Sequence, residues 1–352
     1  MASRDHKSPA LERLRPEHGL PSRDEVGDIQ RARIVSAMVE VASELGYIGA
    51  AVAPVVARAG VSRRTFYELF DGREECFLAA FEWGVAQARE AMTNAQESQR
   101  SWRERVRHAL AALLGLLDSE PELARVCAIE ALGAGKLVLV RRAEVLEELI
   151  VALDASAPRP RGAADKPLLT GEGVIGGAFS VIHARLLELS AAAGGERPAG
   201  KDRASIAREG GRAGSVPGAL IELHGQLMAL IALPYLGPRA AGEELTRTAP
   251  QVSQPEVVRA RGDGGRLLER LDMRLTYRTV RCLMFIGENP GSSNREIAEG
   301  AEVPDEGQTS KLLARLMKLE LIANSQVRGP GLPNRWTLTP QGKQVLSAVN
   351  AH

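Results

Sequence analysis

The sequence predicts a mainly α-helical protein of more than one domain, with a small β-hairpin confined to its C-terminal end. Three observations carry that reading. The chain is 44% hydrophobic, 25% charged and only 4% aromatic, and an abundance of Ala, Leu, Arg and Glu with few aromatic or β-branched runs favours helix over sheet. Apolar residues recur at helical spacing through most of residues 28–245. A pattern suited to paired strands, "LELIANSQV" and "RWTLT" about a Gly- and Pro-containing tip, occurs only near the end. A length of 352 residues suggests about two domains, each able to bury a core.

Residues 1–27 mix charge and proline without helical or strand periodicity and are expected to form a flexible arm. From Asp28 the pattern changes: Ile34, Met38, Val41 and Leu45 lie at helical spacing, and Gly46 supplies a stop. Helical segments follow through Trp102, Val106, Leu110, Leu113 and Leu117, then "PELARVCAIEAL", "LVLVRRAEVLEELIVAL", "GVIGGAFSVIHARLLELS" and "GALIELHGQLMALIALPYL". These make one helical domain over 84–245. A Gly-, Ala-, Arg- and Ser-rich stretch at 191–218 reads as a flexible insertion, and 246–265 as a linker to a last domain at 266–352.

The segment at 51–70, "AVAPVVARAGVSRRTFYELF", packs two helical stretches about one glycine. Pro54 suits the first turn of a short helix, where its missing N–H is no loss, and Val55, Val56 and Ala59 share a side. Gly60 breaks that helix. Ser62 offers an oxygen to cap the next, which turns Phe66 and Phe70 inward and leaves Arg63, Arg64 and Tyr67 accessible. Asp71 and Glu74 read as a capping box for a further helix. Helix, glycine turn and capped helix together have the geometry of a helix-turn-helix, whose second helix enters a DNA major groove by its N-terminal end. An arginine fork there bonds guanine O6 and N7, while threonine and tyrosine hydroxyls reach base edges or phosphates. Two arginines on a solvated helix are the plain alternative.

At the other end, Ser293 with Glu296 is a capping box, Asp305 with Gln308 opens a second helix, and Leu312, Leu313, Leu316 and Leu319 form its apolar stripe. The hairpin follows, and Thr339-Pro340 starts a last helix. Three helices and a two-stranded wing make a winged helix.

Residues 28–83, with "RIVSAMVEVASELGY", "VAPVVARAGVSRRTFYELF" and "DGREECFLAAFE", resemble the DNA-binding end of the TetR family of bacterial transcription regulators. The resemblance implies that Ser62, Arg63, Arg64, Thr65 and Tyr67 face double-stranded DNA. It puts Arg73 where the family has a phosphate-contacting lysine, a change that keeps charge but alters hydrogen-bond geometry. More weakly, to about Leu245, it implies a helical ligand-binding and dimerisation domain, with a homodimer formed through helices at about 172–190 and 218–236. Gly176 and Gly177 would permit close approach there. Residues 275–349 resemble winged-helix regulators of the MarR-like type. That resemblance would bring Thr309, Ser310, Lys311 and Arg315 to the major groove and Arg328 and Arg335 to the minor groove or backbone.

The chain's net charge is only +1, so any attraction to nucleic acid must come from a local patch. Cys76, Cys127 and Cys282 are widely spaced, fitting reduced thiols in a cytoplasm better than a disulfide framework or metal site. Neither a signal peptide nor an apolar run of membrane-spanning length is read from the sequence, which points to a bacterial cytoplasmic protein. His183 and His224 lie on apolar helices, as core histidines or as contacts to a small-molecule effector. Phosphate-loop, zinc-hydrolase and serine-elbow motifs do not occur, so no enzyme and no cofactor are expected. The expected function is an effector-responsive DNA-binding repressor. The alternative is an interaction adaptor whose winged helix binds a protein.

Overall fold

A computed structural model describes residues 23–158, 170–195, 218–253, 276–303, 306–325 and 334–350. In chain order these hold α1 (Arg23–Gly49), α2 (Val52–Ala59), α3 (Arg63–Leu69), α4 (Arg73–Gln96), α5 (Trp102–Ser119), α6 (Pro121–Ala128), a 3-10 turn at Glu130–Gly133, α7 (Lys136–Ser156) and α8 (Thr170–Gly195). After a second 3-10 turn at Ile221–Leu223 come α9 (His224–Leu236), α10 (Pro238–Glu244), α11 (Tyr277–Glu288), α12 (Asn294–Gly300) and α13 (Glu306–Lys318). Then follow β1 (Ile322–Asn324), β2 (Trp336–Leu338) and α14 (Pro340–Asn350). The mainly α expectation holds. Two compact units emerge: residues up to Ala37 with Ala51–Gly72 and the chain from Val258, and Met38–Ala50 with Arg73–Val257.

In the first unit, α2 and α3 pack as a pair. Val55, Ala59 and Phe66 are fully buried between them and the start of α1, with Phe70 nearly so. Gly60 sits at φ +67°, left-handed backbone that closes α2. Ile34 and Ala37 of α1 are buried, and the Arg33 guanidinium donates twice to the Ala59 carbonyl, at 2.8 and 3.1 Å. The C-terminal module has its own core of Val280, Leu283, Ile286, Ile297, Leu313, Leu316 and Val345. Ser293 and Glu296 form the expected capping box. β1 and β2 pair antiparallel with Ile322 opposite Leu338, and Ser292 bridges to Trp336 as a third, unanticipated strand position. Thr339 caps α14, its hydroxyl accepting from the Gly342 N–H at 3.0 Å.

In the second unit, Trp102, Leu114, Ile182, Leu186, Leu220, Leu227, Met228 and Tyr235 share one apolar core. The Trp102 and Tyr235 rings lie 5.2 Å apart within it, where both pack. Glu244 is wholly buried and takes both the Arg103 and the Arg107 guanidinium; Arg107 also donates to the Thr248 carbonyl at 2.7 Å. Buried charge of this kind is tolerated only when paired.

Several expectations need correction. Helix α1 begins at Arg23, five residues inside the expected arm, whose remaining residues 1–22 lie outside the described ones. The helical run does end at Gly46, at φ +74°, but Leu45 is exposed because it falls off the buried face. "PELARVCAIEAL" is helical only to Ala128 before tightening to a 3-10 turn. Of the stretch read as an insertion, 191–195 continue α8 and 196–217 lie outside the described residues. Within the expected linker, 246–253 are anchored: Thr248 accepts from Arg107, and Val252 packs with Ala91, Ala112 and Leu116. The rest of that linker is not among the described residues. Thr170–Ala192 has a mean hydropathy of 1.3 and is, by length and composition alone, apolar enough to cross a bilayer, a test that the core helix of a soluble protein also passes; its Val174, Ala178, Ile182 and Leu186 are buried in the apolar core.

Candidate nucleic-acid interface

Short-range chemistry builds α3. The Ser62 hydroxyl accepts from the Thr65 N–H at 3.0 Å, satisfying a donor that the first turn otherwise leaves open, and the two hydroxyls lie 2.9 Å apart. Phe66 anchors the helix from below, its ring tilted on Phe70 at 5.6 Å. Arg31 stacks on Phe70 at 4.4 Å and donates to the Leu69 carbonyl at 3.0 Å, which ties the C-terminal end of α3 to α1. With its apolar side committed inward, α3 turns Arg63, Arg64 and Tyr67 to solvent; Tyr67 is 59% exposed.

The exposed side chains are not equivalent. Arg64 pairs with Glu68 at 2.9 Å along the helix, an exposed contact that contributes little to stability and is readily exchanged for a phosphate. Arg63 has no ion-pair partner among the described residues. Ser62 and Thr65 are half-buried and engaged with each other, so their first role is to start the helix. Arg73, in the second unit, stacks on Tyr47 at 4.2 Å and donates to the Ile48 carbonyl at 3.3 Å; it closes the end of α1.

In the C-terminal module α13 presents Ser310, Lys311 and Arg315 to solvent, with Lys318 beside them, a residue the sequence reading missed although helical spacing from Lys311 and Arg315 would have found it. Thr309 is a correction: it is fully buried, because its position turns with Leu313 and Leu316 into the core, and it does not face a groove. Asn294 donates to the Ser310 hydroxyl at 3.1 Å and accepts from the Trp336 indole N–H at 2.6 Å, joining α12, α13 and β2. Arg335 is exposed but donates to the Gly291 carbonyl at 3.0 Å and lies 3.5 Å from Glu296. The Ser293 backbone N–H, with that arginine's charge in support, holds the Glu296 carboxyl below its ordinary range. Arg328 and Asp305 lie outside the described residues.

The two histidines sit in the second unit. The His183 Nδ1–H donates to the Ala128 carbonyl at 2.8 Å. His224 is buried, its Nε2–H donating to the Arg107 carbonyl at 3.0 Å while Nδ1 has no partner among the described residues. Burial pushes its pKa down, the backbone bond partly opposes this, and the Arg107 charge adds to the lowering. Among the described residues, no cluster of three or more His, Cys, Asp or Glu could hold a metal ion.

A capped, exposed arginine-bearing helix set behind a glycine turn defines a helix-turn-helix module on a helical protein. Residues 34–80, which include α2, α3 and the opening of α4, match the model for bacterial regulatory proteins of the tetR family and are thus similar to that family's N-terminal DNA-binding domain. No curated protein matches the chain. Among solved structures, the chain is similar to the fatty acid degradation regulator FadR from Bacillus halodurans, at 17% identity over 56% of this chain and 96% of that one, with a TM-score of 0.43. A TetR-like transcriptional regulator from Rhodococcus sp. RHA1 is 19% identical over 58% and 94% of the two chains, with a TM-score of 0.40. FadR from Bacillus subtilis, solved in complex with stearoyl-CoA, is 19% identical over 56% and 96%, with a TM-score of 0.38.

Proposed function

We propose that the protein is an effector-responsive transcription regulator, a repressor in the cytoplasm of a bacterium, that reads operator DNA as a homodimer through α3. The observation that carries this reading is the exposed row of Arg63, Arg64 and Tyr67 on a helix whose cap and apolar anchors hold it rigidly. A short helix fixed in this way meets a groove with its side chains already oriented, so little conformational entropy is lost on binding.

A homodimer is supported by the second unit. Helix α8 exposes Gly173, Gly176, Ser180, Val181, Ala184 and Leu187 along one stripe. α9 lies against it, close enough that a Cβ on Gly177 would stand 3.5 Å from Leu230, and exposes Leu230 and Leu233. A face of small and apolar residues on two packed helices suits burial against its own copy. A small-molecule effector would enter among the helices of this unit, with His183 and His224 as its polar contacts, and alter the spacing of the paired α3 helices.

We read the C-terminal module as a winged helix that also faces DNA, through Ser310, Lys311 and Arg315 on α13, with Arg335 and Arg328 at the wing. The order of helix, bridge strand, two helices and hairpin supports that reading. The competing reading, a module that binds a protein partner, draws support from the acidic residues Glu302, Asp305 and Glu306 in the sequence at the entrance to α13.

The test is selection of genomic DNA fragments by the full-length protein, followed by footprinting beside an Arg63→Ala/Arg64→Ala variant. The expected result is protection of a palindromic site by the wild type, and an affinity loss of at least tenfold in the variant, since each base-reading arginine contributes about 1–3 kcal/mol. Failure of the wild type to select any sequence would reject the proposal.

A further inference from the structure

The C-terminal module does not stand apart from the first reader. Val26, on the first turn of α1, is 1% exposed and belongs to the apolar cluster otherwise made by Val280, Leu283, Ile286, Leu313 and their neighbours; Ile29, one turn on, packs against the same cluster. Further along α1, Arg33 holds the Ala59 carbonyl at the end of α2, and Arg31 holds the Leu69 carbonyl at the end of α3. Val26, Ile29 and Arg33 are spaced i, i+3 and i+7, which places them along one face of the helix. At 1.5 Å per residue the two attachment points lie about 10 Å apart on a single rod.

We propose that α1 is a strut joining both modules into one composite reader, which requires two DNA elements at a fixed helical phase. The inference rests on the reading of α3 and α13 as DNA-facing helices. Two features carry it beyond mere proximity. Attachment is through apolar burial and a buried bidentate arginine, neither of which is screened by salt or exchanged for phosphate when DNA arrives. In the attached state, moreover, Arg63, Arg64 and Tyr67 on one module and Ser310, Lys311 and Arg315 on the other all remain exposed, so the docking covers neither reading face.

Flexibly tethered readers behave differently. A loose linker tolerates changes in site spacing, and its effective concentration falls only slowly with separation. A composite reader permits one spacing only. Inserting five base pairs rotates the second element by about half a turn, and inserting ten restores its face but moves it by about 34 Å along the axis. Either change removes one module from its site.

The experiment uses the full-length chain on its selected operator, with footprints recorded for wild type and a Lys311→Ala/Arg315→Ala variant. Five or ten base pairs are then inserted between the two protected elements, and affinities are measured for wild type and Val26→Glu. The expected result is two protected elements, one of them lost in Lys311→Ala/Arg315→Ala. Either insertion should cost the wild type at least about tenfold, from loss of the linked contact. Val26→Glu, checked for retained helicity by circular dichroism, should show less than threefold sensitivity to the insertions.

Two elements protected by a wild type that tolerates both insertions would overturn the composite reader while leaving both DNA-facing readings intact. Phase sensitivity equal in wild type and Val26→Glu would overturn the strut. A footprint unchanged by Lys311→Ala/Arg315→Ala would remove the second reader itself, and the inference with it. The wild-type insertion series stands whether or not the Val26 variant folds.

Discussion

His224 shows how far one side chain's neighbourhood determines its chemistry. In the unfolded chain its pKa is near the ordinary 6.5, whereas burial lowers it in the fold, where the Arg107 carbonyl accepts from the one ring nitrogen that has a hydrogen-bond partner among the described residues. The unfolded state therefore binds more protons as pH falls below about 6.5, and stability conferred by the neutral ring is present above that value and lost through the interval down to the folded pKa. Urea unfolding at pH 7.5 and 5.5 should show the wild type losing up to about 1.4 kcal/mol per pH unit across that interval relative to His224→Gln. Equal pH dependence in both proteins would mean that the ring takes up its proton as readily in the fold as in the unfolded chain. The cysteines follow the same logic: burial pushes the Cys127 and Cys282 thiols up to about 12, so neither is poised for redox chemistry.

For elements, the decisive features are ends rather than middles. α3 has only seven residues, too few to persist as an isolated helix, and its existence depends on the Ser62 cap and on burial of Phe66. Ser62→Ala should destabilise the protein by about 1 kcal/mol in thermal or urea unfolding. The same change should weaken operator binding more than its loss of one hydroxyl contact accounts for, because the first turn bearing Arg63 frays. A variant with full stability and full affinity would show that the cap is dispensable. At the C-terminal end, α12 and α11 approach so closely that a Cβ on Gly300 would fall on the Phe285 ring. Only glycine permits that crossing.

For the whole molecule, a net charge of +1 means that local surfaces rather than a global field must steer any DNA. Dimerisation is the natural means of doubling a narrow basic face. Leu233, 51% exposed on α9, lies on the stripe proposed to pair with a second copy. Leu233→Asp should yield a monomer in sedimentation velocity and lose affinity for a palindromic site by at least about tenfold, with little change in monomer folding because the side chain is already half in water. Unchanged sedimentation would place the interface elsewhere.

The sequence by itself determined whatever is decided within a few residues. The stop at Gly46, the turn at Gly60, the caps at Ser62, Ser293 and Thr339, and the hairpin of Ile322–Asn324 with Trp336–Leu338 all stand where local pattern places them. Such features depend on one backbone conformation or one hydrogen bond between near neighbours. Tertiary structure alone decided the partners of the charged and borderline residues. The pairing of Arg107 with Glu244, the seat of Val26 in the C-terminal core, the burial of Thr309 and the stacking of Arg73 on Tyr47 join residues remote in sequence or turn on which side of a helix is covered. Helical periodicity can rank the sides of a helix by polarity. What lies against each side is decided by chain that returns tens to hundreds of residues later, through burial and desolvation that no local window contains.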